Sequence, residues 1–313
     1  MTQASPAETT AAPDRDPRFL GRLGESLDVR LYRRMFFIRR FEERILDLFE
    51  EGRINGTTHA CIGQEADAVG VVEHVTADDH IFSNHRCHGH YLALTGDAYG
   101  LLAEMLGRPD GVTGGIGGSQ HLCAPGFKSN GVLGGTVPAA AGIALAKKLS
   151  GGAGISVAFM GDGALGEGVV YETFNIASLW QLPLLFVLED NGWSQSTPAF
   201  LNRAGEIARR FEAFEIPVDE METTDVREIV AASKAIVDDV RAQQRPRALV
   251  IQTYRLCHHS KSDDHRPEEE VAARWATEPL RVHGRRIDGD LRRGVETEVE
   301  SALAEVFDRA LGS

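Results

Sequence analysis

The chain has 313 residues, 42% hydrophobic and 25% charged, an ordinary globular composition with length for one large or two medium domains. A net charge of −13, from 33 Lys and Arg against 46 Asp and Glu, leaves no general basic surface for nucleic acid or anionic lipid. The longest apolar runs, Ile155 to Met160 and Leu182 to Leu188, are strand length, far below the roughly 20 residues of a membrane span.

Residues 1–27 open "MTQASPAETTAAPDRDP", with no basic start and no apolar stretch. They read as a disordered tail and not as a secretion signal. From Asp28, the apolar residues Leu31, Met35, Ile38, Phe41, Ile45 and Leu48 fall at helical spacing between Arg and Glu, which predicts a long amphipathic helix closing at Gly52. "GQEADAVGVVEHV" predicts a second helix and Leu92 to Leu106 a third, with loops over Thr57 to Gly63 and Phe82 to Gly89. Two Gly-rich loops follow, Gly107 to Gly118 and Asn130 to Gly135. The second enters "VPAAAGIALAKKL", a small-residue helix with Pro138 in its first turn.

"GISVAF" then predicts a buried strand, "GDG" a turn, Glu167 to Trp180 a helix and "LPLLFVLED" the next strand. Such a βαβ unit has parallel strands and a right-handed crossover. Asp225 to Gln244 predicts another helix, "RALVIQTYRL" a third strand, "HHSKSDDHRPEEE" a polar loop, and Glu269 and Glu296 the starts of closing helices. The alternation argues an α/β fold with a mostly parallel sheet, whose ligands bind at the carboxyl ends of the strands. The four cysteines are widely spaced without C-x-x-C, which suits free thiols in a reducing cytoplasm better than a disulfide framework.

The chemistry centres on "FMGDGALGEG". It fits G-x-G-x-x-G through Gly161, Gly163 and Gly166, yet puts Asp162 where a diphosphate would sit. A bare carboxylate repels that anion, so a positive charge must lie between them. "EDN", Glu189 to Asn191, ends the neighbouring strand, so Asp162 and Asn191 converge and offer the hard oxygens that Mg²⁺ takes while gripping phosphate. The rival reading makes Glu189 the ribose-binding acid of an NAD site, but leaves Asp162 unexplained. A zinc site from His85, Cys87, His88 and His90 has the right ligand types and no standard spacing.

Beyond this point the chain resembles a family. "GDGALGEGVVYETFNIASLWQLPLLFVLEDNGWSQSTP" is similar to the GDG-to-N segment of thiamine diphosphate enzymes, in the form found in α subunits of 2-oxo acid and acetoin dehydrogenase E1 components. "RRMFFIRRFEERI", "GRINGTTHACIGQEADAVGV", "HRCHGHYLA", "GGIGGSQHL", "SNGVLGGTVPAAAGIALAKKL" and "TYRLCHHSKSDD" extend the likeness over about Asp28 to Leu280. The resemblance implies a thiamine diphosphate-binding fold over residues 28–313, acting as one catalytic domain. It implies Asp162 and Asn191 as side-chain ligands of Mg²⁺, with Trp193 lending a backbone oxygen. Gly163 and Ala164 match amides on the diphosphate. His85 and Arg86 match a Tyr-Arg pair there, the Tyr being His in this chain. Gly131 matches a contact to the aminopyrimidine, Leu133 the apolar wedge under the folded cofactor, and His59 and His259 active-site histidines.

Several departures matter, and the cofactor residues survive better than the surfaces near substrate and partner. The family's "KGGSMH" reads "IGGSQH" with Ile116 for Lys, "ENN" reads "EDN", "VDG" is replaced by "EMETTD", and the "SDD" loop is shorter before Glu268. Ser260 falls where some relatives are phosphorylated. The expected function is the α subunit of an E1 component that cleaves a 2-oxo acid or acyloin and passes the acyl group to a lipoyl-bearing acyltransferase. Alternatives are a stand-alone two-subunit decarboxylase or carboligase and a non-catalytic scaffold subunit. One α/β unit with helical flanks uses up the length, so the glutamate that activates the cofactor is expected from a β subunit in an α₂β₂ heterotetramer. Glu65 is the tempting internal candidate, but it matches a position with another role.

Overall fold

Apolar residues on both faces of a strand require helices on both sides of the sheet, and the chain folds accordingly. The structure is a computed structural model, and it describes residues 16–54, 56–260 and 264–312. In chain order the helices are α1 (Pro17–Leu20), α2 (Leu27–Glu50), α3 (Glu65–Val72), α4 (His88–Thr95), α5 (Ala98–Met105), α6 (Thr136–Leu149) and α7 (Gly168–Leu179). They continue with α8 (Ala199–Asn202), α9 (Ile207–Glu212), α10 (Val226–Gln243), α11 (Glu268–Trp275), α12 (Pro279–Gly284) and α13 (Gly289–Leu311). The strands are β1 (His80–Ser83), β2 (Cys123–Ala124), β3 (Phe127–Ser129), β4 (Ser156–Gly161), β5 (Leu184–Asp190), β6 (Trp193–Ser194), β7 (Thr197–Pro198), β8 (Val218–Glu222) and β9 (Arg247–Gln252).

Seven strands form one sheet in the order β2-β3-β1-β4-β5-β9-β8, parallel except for β2 against β3. Alternate residues feed two cores. Val157, Phe159, Leu185 and Val187 pack with α2, α3, α4, α5, α10 and α13. Ala158, Met160, Phe186 and Leu188 pack with α6, α7 and α9. Among the described residues no helix is long and apolar enough to cross a membrane, and the four cysteines are free.

The α/β class, the central βαβ unit and the long helix after residue 27 agree with expectation; three details differ. Ordered chain begins inside the segment expected as tail: α1 starts at Pro17, and Phe19, 1% exposed, stacks on Phe37 at 4.1 Å between ring centroids. Residues 1–15 lie outside the described part. The expected helix over Leu92 to Leu106 is two helices, because Gly96 ends α4 with φ 68° and Asp97 caps α5 by accepting from the Gly100 N–H at 2.7 Å. The sheet also has strands the sequence pattern does not announce: β1, β2 and β3 have two to four residues, and the edge strand β8 reads "VDEME", largely exposed.

Candidate active site

Parallel strands put their carboxyl ends on one edge. Gly161 of β4 pairs with Glu189 of β5, and Asp190 pairs with Gln252 of β9, so Asp162 emerges beside Asn191 while the chain after β9 leads to His259. β1 contributes the turn Asn84, His85 and Arg86 to the same edge. A cleft of about 380 Å³ opens there, lined by His85, Arg86, Leu133, Asp162, Gly163, Asn191 and Trp193 together with Gln64, Ser194 and Arg203.

At the floor of this cleft Asp162 and its neighbour Asp190 share one arginine. Asp162 is 5% exposed, and burial, reinforced by Asp190, pushes its carboxyl up to about 6. Arg203 counters in part: its Nη1 lies 3.7 Å from Asp162 Oδ2 and 3.1 Å from Asp190 Oδ1. Asn191 Oδ1 accepts the Trp193 N–H at 2.9 Å, which leaves an amide oxygen its second lone pair. The β6–β7 hairpin then sets Ser194 over Gly163, where a Cβ would come within 3.1 Å of the Ser194 hydroxyl. That hydroxyl, Gln64 Oε1 and both ring nitrogens of His85 are buried with no hydrogen-bond partner, which leaves polar groups of the cleft wall unsatisfied. Ala164 is different: the cleft does not expose its side chain, which packs in the core beside α7.

His59 and His259 join the cleft through His85. Ring centroids are 4.5 Å apart for His59 and His85, 4.7 Å for His59 and His259, and 5.5 Å for His85 and His259. Burial first, then Arg86 and the two neighbouring imidazoles, holds His85 well below the usual histidine range, so its ring is neutral at pH 7. Arg86 Nη2 lies 3.5 Å from His259 Nδ1, and its other arm donates to the Ala60 carbonyl. The three rings bring possible ligand atoms within 4.8 Å of one another. Arg86 and Arg255 are the charged groups that bear on His85, and no carboxylate belongs to the set, so the field favours an anion over a cation.

The zinc alternative dissolves because its four side chains share no common point. His88 meets Glu42 at 2.9 Å and Ser119 Oγ at 3.0 Å, Cys87 donates to the Ser119 carbonyl, and His90 pairs with Ser83 Oγ at 2.8 Å. Glu189, the rival ribose acid, is 4% exposed with His90 Nε2 at 3.4 Å. Glu65 is fully buried against Arg39 Nε at 2.5 Å and accepts the Gly63 N–H at 3.0 Å.

The second Gly-rich loop reaches the cleft through Leu133, and both loops are held by a glutamate. In the second, Glu167 Oε1 takes the Gly134 N–H at 2.9 Å and Asn130 Oδ1 the Val132 N–H at 2.8 Å, which fixes half-buried Leu133 between them. Gly131 lies against Gln120, whose Oε1 would be 2.3 Å from a Cβ at that position. The first loop wraps Glu104 of α5, whose carboxylate accepts the N–H groups of Thr113, Gly115, Gly117 and Gly118 at 2.6 to 3.1 Å. Arg203, Ser194, Gln64 and Glu104 are not legible in the sequence. Arg203 and Ser194 sit on a short helix end and a hairpin with no hydrophobic period, and Gln64 and Glu104 at the ends of helices whose apolar pattern gives no sign of these contacts. Lys261, Ser262 and Asp263 of the polar loop lie outside the described residues.

Comparison with known proteins agrees with this geometry. The family model described as "Dehydrogenase E1 component" matches residues 33–300. The pyruvate dehydrogenase E1 component subunit alpha of Rhizobium meliloti (strain 1021) is 34% identical over 309 residues, covering 90% of this chain and 85% of that protein. The alpha subunit of acetoin:2,6-dichlorophenolindophenol oxidoreductase from Bacillus subtilis (strain 168) is 35% identical over 237 residues, 74% of this chain and 71% of its own. Among solved structures, a transketolase from Leishmania mexicana shares the fold with a TM-score of 0.57 at 19% identity; the match covers 92% of this chain and spans 47% of the transketolase. With the model match running over most of its length and relatives above 30% identity on both sides, the chain belongs to the dehydrogenase E1 component family.

Proposed function

We propose that this chain is the α subunit of a thiamine diphosphate- and Mg²⁺-dependent E1 component that acts on a 2-oxo acid or acetoin. The observation that carries the reading is the convergence of Asp162 and Asn191 on a cleft where burial and Asp190 still outweigh Arg203 and the backbone amides at the Asp162 carboxyl. A divalent cation held by hard oxygens resolves that imbalance, and the donor set fits Mg²⁺. In this reading Asp162, Asn191 and the Trp193 backbone oxygen hold the metal. The amides of Gly163 and Ala164, with His85 and Arg86, take the diphosphate, and the partnerless ring nitrogens of His85 support that role. Gly131 and Leu133 shape the wall for the rest of the cofactor.

When bound, thiamine diphosphate supplies a carbon nucleophile for the substrate carbonyl and an electron sink for the bond that breaks. The chain itself orients the substrate. His59 and His259, with Arg86 3.5 Å from the His259 ring, make a field that attracts a carboxylate, and their imidazoles can hold or move a proton at its oxygen. Glu65 and Glu189 are engaged by Arg39 and His90, which supports a β subunit as the source of the activating carboxyl group. Residues 28–313 then act as one catalytic domain within an α₂β₂ assembly, and a lipoyl-bearing acyltransferase receives the acyl group.

Co-expression of the chain with its β-type partner tests this. Calorimetry should show thiamine diphosphate binding that requires Mg²⁺, and turnover of pyruvate, other 2-oxo acids or acetoin should require both chains. Full turnover by the α chain alone, or cofactor binding indifferent to metal, would overturn it.

A further inference from the structure

We infer that Gln120 is a positioning residue that sets the tautomer of His59. The inference rests on the reading above that His59 faces the substrate. Gln120 Nε2 lies 3.2 Å from His59 Nδ1 and 3.4 Å from the Thr57 carbonyl oxygen. A carbonyl can only accept, so the atom facing Thr57 is the amide NH₂, and its second hydrogen points to the imidazole. His59 Nδ1 is therefore the acceptor, and the hydrogen of the neutral ring sits on Nε2. In that state His59 offers a donor to a carboxylate or carbonyl oxygen and cannot act there as a base.

The amide is well held. Ser119, the residue before it, is fixed by His88 at 3.0 Å and by the Cys87 thiol, and the Gln120 carbonyl accepts from Ser129 Oγ at 2.9 Å. Its Oε1 lies so close to Gly131 that a Cβ there would stand 2.3 Å away. One side chain thus ties the His59 loop to the loop carrying Gly131 and Leu133. The "KGGSMH" segment that this region resembles has Met at the equivalent place, and a thioether has no N–H to give. The tautomer is thus set locally in this chain by a residue that such a sequence lacks.

The test is long-range ¹H–¹⁵N correlation on the full chain labelled with ¹⁵N-histidine, His59 being identified by its missing signals in His59→Asn. Wild type should show the Nε2–H form, Gln120→Met a mixture of tautomers, and Gln120→Glu a protonated Nδ1 bonded to the new carboxylate. Turnover should fall by about 3- to 10-fold in Gln120→Met with cofactor affinity unchanged, the size of one lost hydrogen bond. The loss should reach roughly 10²-fold in Gln120→Glu, where the donor is misplaced. A wild-type ring already protonated at Nδ1, or one tautomer common to all three proteins, overturns the inference. Unchanged turnover in His59→Ala instead defeats the substrate-facing reading of His59, while the tautomer data still decide whether Gln120 sets the ring.

Discussion

Asp79 and Asp162 are two buried aspartates at opposite ends of β4, and the protein treats them in opposite ways. Asp79, 1% exposed, is saturated: it accepts the Ile155 N–H at 2.7 Å, the Thr76 N–H and hydroxyl at 2.8 and 2.9 Å, and both arms of Arg241 at 2.9 Å. Burial alone would raise its carboxyl, but Arg241 and the backbone amides outweigh burial and hold it below the ordinary 3.8. Asp162 has Arg203 at 3.7 Å, a second carboxylate close by, and a carboxyl pushed up to about 6. A structural aspartate arrives with its partners; a functional one waits for them. The amino edge of the sheet stores stability, and the carboxyl edge spends some of it on an unmet charge.

Substitutions should separate the two edges. The largest effect is expected for Asp162→Ala, which removes a ligand from a buried charge set worth roughly 3 to 5 kcal/mol, or about 10² to 10³ in affinity. Calorimetry should show metal-dependent thiamine diphosphate binding lost, while the melting temperature of the metal-free chain stays level or rises. A large drop in that temperature would mean that Asp162 stabilises the fold as Asp79 does. His259→Ala should lower turnover by about 10² to 10⁴ while cofactor affinity holds within a few fold, as for a positioned acid or base. Parallel losses in both would make the residue structural.

At the other edge, Asp79→Asn should cost about 3 kcal/mol in urea unfolding because Arg241 and the Ile155 amide lose their carboxylate. Per-site turnover should persist, and its collapse in a folded variant would break the separation. The smallest effect is in acid. A folded value below 3.8 means that the Asp79 contribution is complete above that pH and disappears as the pH falls through the lowered value. The stability gap between wild type and Asp79→Asn should thus be full at neutral pH and close below about pH 4. A gap independent of pH would show that the amide loses packing and not charge.

The central unit was legible because local rules and tertiary structure agree there. An apolar run, a glycine turn, a helix and a second apolar run make parallel strands with a crossover, and that topology brings Asp162 to Asn191. The histidine side was legible only by resemblance, since nothing in the spacing of residues 59, 85 and 259 says that the rings meet. Arg203 and Ser194 were hidden because the hairpin and short helix after β5 follow no hydrophobic period. β8 was hidden because an edge strand reading "VDEME" needs no buried face. The split at Gly96 and Asp97 was readable in principle: a glycine followed by an aspartate is a stop and a start, outvoted by the apolar residues on either side.

Glu104 has a bearing on how this protein can change over time. Its carboxylate grips four amides of the loop, those of Thr113, Gly115, Gly117 and Gly118, so the path of residues 113–118 is written in one side chain on α5 and in backbone groups. The four glycines of that loop are fixed, Gly114, Gly115 and Gly118 by positive φ and Gly117 by the His121 carbonyl 2.1 Å from where a Cβ would stand, which leaves Ile116 free to drift. Ile116, 89% exposed where the resembling segment has lysine, is an instance of a new letter on an unaltered frame. A lineage that keeps Glu104 and these glycines can exchange the chemistry at Ile116 without first having to redesign the loop that carries it.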